Sequence, residues 1–472
     1  MNNKVVNFIK NFSYALSSNL VTLLISTLIV LIVPKLIGVE EYGYFQLYIF
    51  YSSYVGFLHF GWNDGIYLRY GGKEYKDLNK KLFFSQFVML GIFQFIIAGI
   101  IFFLSFYYIQ DSNKIFIIQM TSLCLLFVNI RYMLLYILQA TNRIKDYARS
   151  TMIDKIIYCC LVIITLLVGI RDYKLLVVSD LVGKVISLLF AIYYCKDIVF
   201  HNIKSFYFSI SETAKNISVG IKLMFANIAS MLILGVVRFG IERSWDVSTF
   251  GKVSLTLSVS NLMMLFINAV GIIMFPILRR TDKEKFPSLY ILMRDFLMVL
   301  LLGVLIIYFP SKFILSQWLT SYKESLNYMA LLFPMFVFEG KTALLINTFL
   351  KTLRKEKLML KINLISLMLS LLISIITTLV LRNLDLAVLS IVILLAFRCV
   401  LAEIMLSKVL GISTHKNIFL ELIVTLVFIV VGWFMNSLSG VVIYTITYIL
   451  YLLIKRKDII GTIKNIKVLM KV

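Results

Sequence analysis

The residues with chemistry to offer stand inside runs that are otherwise apolar. Arg131 follows Asn129 by two positions, and Arg398 sits near the middle of another run. Neither has an opposite charge within a helical turn. Glu339 and Lys341 close the stretch Pro334-Met335-Phe336-Val337-Phe338-Glu339-Gly340-Lys341. Two residues turn a helix through about 200°, so this acid and base cannot pair with each other. Each needs a partner from another helix, or water. His59 and Asp64 lie five apart, while Asp180 and Lys184 have i,i+4 spacing and share one helix face, where they neutralise each other. Arg238, Glu242 and Arg243 cluster beside Trp245 and Asp246.

A guanidinium keeps its proton and offers a rigid fork of donors, so Arg131, Arg398 and Arg238 are candidates for holding an anion, with Lys341 as a point charge beside them. For Arg131 and Arg398 the competing role is structural pairing between helices; for Arg238 it is a solvated helix end. Glu339 and Asp64 are the candidates for coupling to an ion. His59 either carries a proton or makes a packing hydrogen bond. No metal-collecting set exists, because His59, His201 and His415 are scattered, and G-x-S-x-G, Walker and H-E-x-x-H motifs are missing from the sequence.

The elements that must position these groups are membrane helices. Of 472 residues, 60% are apolar and 15% charged, which no soluble fold buries. The net charge of +23 does not signal nucleic acid, because the Lys and Arg sit in short connections between apolar runs. Cys124, Cys159, Cys160, Cys195 and Cys399 fall in apolar segments without CxxC spacing and read as small apolar fillers, not disulfides or ligands. The run Phe12 to Val33 follows Lys4 and Lys10, is too long for a signal core, and reads as a first membrane helix that is retained.

At about twenty apolar residues per crossing, polar breaks divide the chain into about fourteen segments: 12–33, 43–66, 83–107, 115–138, 150–170, 175–195, 218–238, 253–276, 289–309, 327–349, 359–381, 386–408, 418–436 and 440–454. With the amino terminus inside, the inner ends and loops carry about three times as many Lys and Arg as the outer ones, which places both termini in the cytoplasm. The tail Lys455, Arg456, Lys457, Lys464, Lys467, Lys471 reads as a stop signal or a segment seeking anionic lipid. The longest connections, 196–217 inside and 310–326 outside, leave no room for an extramembrane domain.

One gapless shift lays Asn19 on Asn227, Leu24 on Leu232, Ile25 on Ile233, Tyr42-Gly43 on Phe250-Gly251, Leu47 on Leu255 and Ser52 on Ser260. It equates segments 1 and 2 with 7 and 8, both copies running the same way. That is a parallel duplication. The fold expected is therefore an all-α polytopic membrane protein of two pseudo-symmetric six-helix lobes around a central cavity. The lobes are 1–217 and 218–408, followed by two further helices and the basic tail in 409–472.

Segment 2 is too polar for a plain lipid-facing helix: it holds Gln46, several tyrosines, His59 and Asp64. Its motifs Glu41-Tyr42-Gly43-Tyr44-Phe45, Gly61-Trp62-Asn63-Asp64-Gly65 and Arg69-Tyr70-Gly71-Gly72-Lys73 resemble the amino-terminal part of bacterial polysaccharide-biosynthesis membrane proteins. These are flippases for lipid-linked oligosaccharides, in the exporter superfamily that also holds lipid II flippases and multidrug antiporters. The resemblance implies a non-enzymatic protein of the bacterial inner membrane, without cofactors. It would move an undecaprenyl-diphosphate-linked repeat unit from the cytoplasmic to the outer leaflet, for O antigen, capsule or lipopolysaccharide assembly. The implied partners are that anionic lipid-linked substrate and membrane lipid, with other polysaccharide-assembly proteins and a proton, a sodium ion or no ion left open. Asp64, Arg69 and Lys73 would stand at the cytoplasmic mouth.

Two other functions stay open on the sequence. A multidrug or small-cation antiporter of the same fold needs acids, and only Asp64 and Glu339 are available against Arg131, Lys184, Arg398 and Lys341. A glycan polymerase or ligase needs a sizeable outer loop, which the chain lacks.

Overall fold

A computed structural model describes residues 3–280, 283–435, 438–458 and 461. Lys464, Lys467 and Lys471 of the basic tail lie outside them. The described residues are helical, without strands. They form two compact units, Met1–Ile228 with Val247–Gly251, and Ala229–Asp246 with Lys252–Val472.

The first unit holds α1 (Asn3–Ile37), α2 (Val39–Ser52), α3 (Trp62–Tyr70), α4 (Lys80–Tyr108), α5 (Ser112–Ala140), α6 (Ile144–Leu167), α7 (Tyr173–Tyr194) and the short α8 (Lys196–Val199). Helices α9 (Ile210–Ser244) and α10 (Val247–Arg280) are shared between the units. The second unit continues with α11 (Phe286–Val304), α12 (Tyr308–Trp318), α13 (Met329–Leu332), α14 (Met335–Gly340) and α15 (Asn347–Thr352). It ends with α16 (Glu356–Ser374), α17 (Leu384–Leu410), α18 (His415–Phe434) and α19 (Leu438–Ile454). Polar caps set several starts: Asn79 accepts from Leu82 N–H, Asp111 from Asn113 N–H and Asn383 from Leu386 N–H. Gly411, at φ 67°, ends α17 in the left-handed conformation.

Among the described residues, eleven helical runs are long and apolar enough to cross a membrane. Segments 43–66, 253–276 and 440–454 are not among them. The second falls on α10 and the third on a shorter apolar helix, Ser439–Ile454. Segment 9 is longer than expected. It runs from Phe286 to Trp318 through one 3₁₀ turn, so most of the expected outer connection 310–326 is helical. Segment 10 is interrupted at Pro334, then again by a π-type turn, Lys341–Ile346.

Segment 2 departs most from a single helix. After α2 the chain makes a 3₁₀ turn, Val55–His59, and reverses its local twist at Phe60 (φ 52°) and Gly61 (φ 82°) before α3. A break inside a membrane strands carbonyls that water cannot reach. Side-chain amides from neighbouring helices satisfy them. Asn129 Nδ2 donates to Val55 O at 3.0 Å and to Gln94 Oε1 at 2.8 Å, and Gln94 Nε2 donates to Leu58 O at 3.1 Å. The polar residues around this segment thus support its break.

Close backbone contacts fix both halves of segment 2. A Cβ on Gly65 would lie 1.9 Å from Asn216 O, and one on Gly220 would lie 2.0 Å from Gly61 O. At the other end, a Cβ on Gly251 would lie 2.7 Å from Gly43 Cα. The sequence shift that lays Tyr42-Gly43 on Phe250-Gly251 thus pairs two glycines that are in contact. In the second unit, Ser370 and Ser374 of α16 donate to Ile233 O and Val236 O of α9, a seam of small residues.

Candidate functional site

The first unit encloses a cavity of about 520 Å³ among α1, α5, α6 and α7, with Asn19, Thr22, Arg131, Asp154, Lys155 and Lys184 in its wall. Two features draw α6 and α7 together here. Ser150 and Ser187 donate to each other's carbonyls at 3.0 and 2.7 Å. Gly183 has no Cβ to strike Asp154 O, which would be 2.7 Å from it. The packing brings Asp154 under Arg131, whose NH1 donates to Asp154 Oδ2 at 2.6 Å. Both residues are buried, at 5% and 4% exposure. Lys184 pairs with Asp180 Oδ2, which also accepts from the Tyr48 hydroxyl at 2.7 Å.

These pairs are not saturated. Arg131 Nε and Asp154 Oδ1 are buried without a hydrogen-bond partner among the described residues. A buried donor or acceptor left this way is costly, so a ligand that meets it gains that energy. Tyr132 and Tyr136, also in the wall, stand parallel with ring centres 6.0 Å apart.

The other expected site residues are dispersed. His59 Nδ1 accepts from Gly61 N–H at 3.0 Å, which leaves Nε2 facing Asp64 Oδ2 at 3.6 Å. Arg69 donates to Asn216 Oδ1 at 2.5 Å and to Glu212 at 2.8 Å, so it ties α3 to the start of α9. In the second unit, Arg398 donates to Glu339 at 2.8 Å and to Ser230 Oγ at 2.9 Å. Arg238 donates to Ser254 Oγ at 3.1 Å. Lys341 belongs to a ring of charges with Arg294, Glu403 and Glu421. Arg294 contacts Glu403 Oε1 at 2.6 Å and Glu421 Oε1 at 2.7 Å; Lys341 contacts the other oxygen of each, Glu421 at 2.6 Å. Lys455 is not a solvated tail residue: it is buried against Asp295 at 2.9 Å.

Asp154, Lys155 and the ring acids Glu403 and Glu421 are missing from the sequence candidates. Their partners come from other helices, where sequence spacing carries no signal. Asp180 and Lys184 had one, their i,i+4 spacing. A larger cavity of about 960 Å³ in the second unit is bordered by Phe309, Lys312, Phe313, Lys323 and Met435, but none of its charged residues is buried. Among the described residues no group of three His, Cys, Asp or Glu could hold a metal.

The sequence model of the family described as Polysaccharide biosynthesis protein matches residues 8–282, more than half of the chain. The chain belongs to the polysaccharide biosynthesis protein family. Solved structures share the fold of this family member. Lipid II flippase MurJ, in an inward closed conformation, is 13% identical with a TM-score of 0.64 over 95% of this chain and 99% of its own. An inward-facing multidrug resistance MATE family transporter of the MOP superfamily is 12% identical with a TM-score of 0.62, covering 82% and 95%. A MOP superfamily transporter from Pyrococcus furiosus gives 0.51 at 12% identity, covering 85% and 96%. No curated protein matches. The family member is thus a multi-pass membrane protein that shares its fold with a lipid II flippase and a MATE family transporter.

Proposed function

We propose that this protein is a flippase that carries an undecaprenyl-diphosphate-linked oligosaccharide repeat unit from the cytoplasmic to the outer leaflet. The product feeds O-antigen or capsule-type polysaccharide synthesis. The reading includes fourteen crossings, cytoplasmic termini, and lobes 1–217 and 218–408 that rock about a central cavity to give alternating access.

The observation that carries it is the charge of the first unit's cavity. Arg131, Lys155 and Lys184 line it with one carboxylate, Asp154, and Arg131 keeps a donor without a partner. That chemistry suits a diphosphate. It does not suit a cationic drug, because Asp154 and Asp180 already hold cations of the chain itself. Glu339 is likewise held by Arg398. Asp64 differs: its partner is the titratable His59, which keeps it the residue for any ion coupling at segment 2. The polymerase or ligase reading loses ground because the expected outer loop is largely helix.

The test is leaflet-resolved mass analysis of lipid-linked intermediates after depletion. The flippase reading expects intact repeat units stranded on the cytoplasmic side. Normal delivery to the outer leaflet would defeat it.

A further inference from the structure

The first unit's cavity holds its cations on carboxylates that a ligand can uncover. Arg131 rests on Asp154 through one oxygen only, and the other oxygen of Asp154 has no partner among the described residues. Lys184 rests on Asp180 and also reaches the cavity wall. Lys155 borders the cavity and stands within electrostatic reach of Asp180. The remaining groups facing this cluster are Tyr48, Tyr132, Tyr136, Tyr147, Tyr158 and Cys124. Asp64 acts on it at longer range through Tyr136.

We propose that a diphosphate diester entering this cavity draws Arg131 and Lys184 off Asp154 and Asp180, and that one of the vacated carboxylates then takes a proton from water. This rests on the flippase reading and adds a coupling to it: substrate binding is linked to proton uptake. The charge balance gives the number. The three lining cations, with Asp154 in the wall and Asp180 behind Lys184, leave the site with one positive charge. A diphosphate diester brings two negative charges, so the loaded cavity carries one negative charge. A single proton restores neutrality. An uncompensated buried carboxylate is costly, and a proton is the only mobile cation that needs no coordination sphere. Asp154 is the first acceptor, because its free Oδ1 already faces no donor. No covalent bond is made or broken.

Linkage makes the effect reciprocal. If binding takes up one proton, lower pH must tighten binding, by up to about tenfold per pH unit while the carboxylate is ionised in the empty protein.

The probe is UDP-N-acetylglucosamine, a soluble diphosphate diester with a sugar, whose phosphates do not titrate near neutral pH. The full-length protein in lipid nanodiscs is titrated calorimetrically in two buffers of different ionisation heat, from mildly acidic to neutral pH. The expected result is a buffer-dependent heat that corresponds to uptake of about one proton, with affinity rising as pH falls. Asp154→Asn supplies the missing neutrality in advance, so it should bind the probe with no proton uptake. If that variant fails to fold, Asp180→Asn makes the same test. Probe binding in the wild-type protein without proton uptake overturns the inference and leaves the flippase reading standing. No probe binding at all removes the anion site and the inference together, and leaflet analysis in cells then decides the flippase reading separately.

Discussion

Both units bury charge, but they arrange it differently. In the first, Arg131 and Asp154 form an ion pair at the wall of a cavity, each with an atom left over. In the second, Arg294, Glu403, Lys341 and Glu421 form a ring in which each carboxylate lies within ion-pair distance of both cations, although Arg294 Nη2 and Glu421 Oε1, 2.7 Å apart, make no hydrogen bond of good geometry. None of the four exceeds 4% exposure. The ring joins α11, the π-type turn, α17 and α18. The difference separates two uses of intramembrane charge. A self-neutral ring whose carboxylates are each shared by two cations sets helix register. A single pair at a cavity wall keeps capacity for a ligand.

The sharpest way to break this comparison is to open the ring. Glu403→Ala leaves Arg294 and Lys341 to share Glu421, with one buried positive charge in excess, and removing one partner of a buried pair costs about 3–5 kcal/mol. We expect little folded protein, read as loss of a monodisperse peak and a collapsed melting transition in detergent. Replacing all four ring residues together by Met and Leu should recover folding and flipping, because a well-packed apolar set is often neutral or stabilising. Recovery of folding without flipping would mean that the ring takes part in transport.

Next in size is Gly65→Ala. The added methyl would lie 1.9 Å from the Asn216 carbonyl, a backbone atom that cannot turn aside. Separating α3 from α9 should cost about 1–3 kcal/mol and loosen the Arg69–Glu212 tie, seen as faster proteolysis at 71–79. The open pair predicts the opposite pattern from the ring. Arg131→Gln with Asp154→Asn removes both charges at once, so the melting transition should move little, while repeat-unit delivery in cells should fall at least tenfold (roughly 1.4 kcal/mol of lost interaction). Unchanged delivery would place the substrate elsewhere.

Much of this architecture is legible from hydropathy, because a crossing helix must be apolar along its length. The buried pairings are not. Nothing in the sequence joins Lys341 to Glu403 and Glu421, or Arg131 to Asp154. These contacts form between helices whose neighbours only the fold decides. Segment 2 shows the same limit. Its polarity signals that it is no ordinary helix, and a wet inner face is the natural reading. The break at Phe60 is invisible, because the amides that make it tolerable belong to Asn129 and Gln94 on other helices. By contrast, Asp180 and Lys184 sit one turn apart on α7, and there spacing alone predicts the contact that forms.

A third pair, outside the membrane, calibrates the other two and should give the smallest effect. Tyr75 donates to Asp197 Oδ1 at 2.6 Å, and Lys80 meets Asp197 Oδ2 at 3.1 Å. Burial alone would raise the Asp197 carboxyl. The Tyr75 hydroxyl and Lys80 ammonium outweigh it and hold the group below the usual carboxylate range. A carboxyl depressed in the folded state stabilises the fold above its unfolded value and loses that contribution as pH falls through the folded one. Asp197 is largely exposed, so Tyr75→Phe should cost at most about 1 kcal/mol at neutral pH. The gap between wild-type and variant melting should begin to shrink as pH drops below about 4 and close once pH has fallen through the depressed folded-state value of Asp197. A gap that instead widened in acid would mean that Tyr75 acts through its ring, which Lys80 and Arg143 approach at 3.5 and 4.5 Å, and not through its hydroxyl. The solvent-side pair would then be a cation–π cluster, and a poor yardstick for buried charge in either unit.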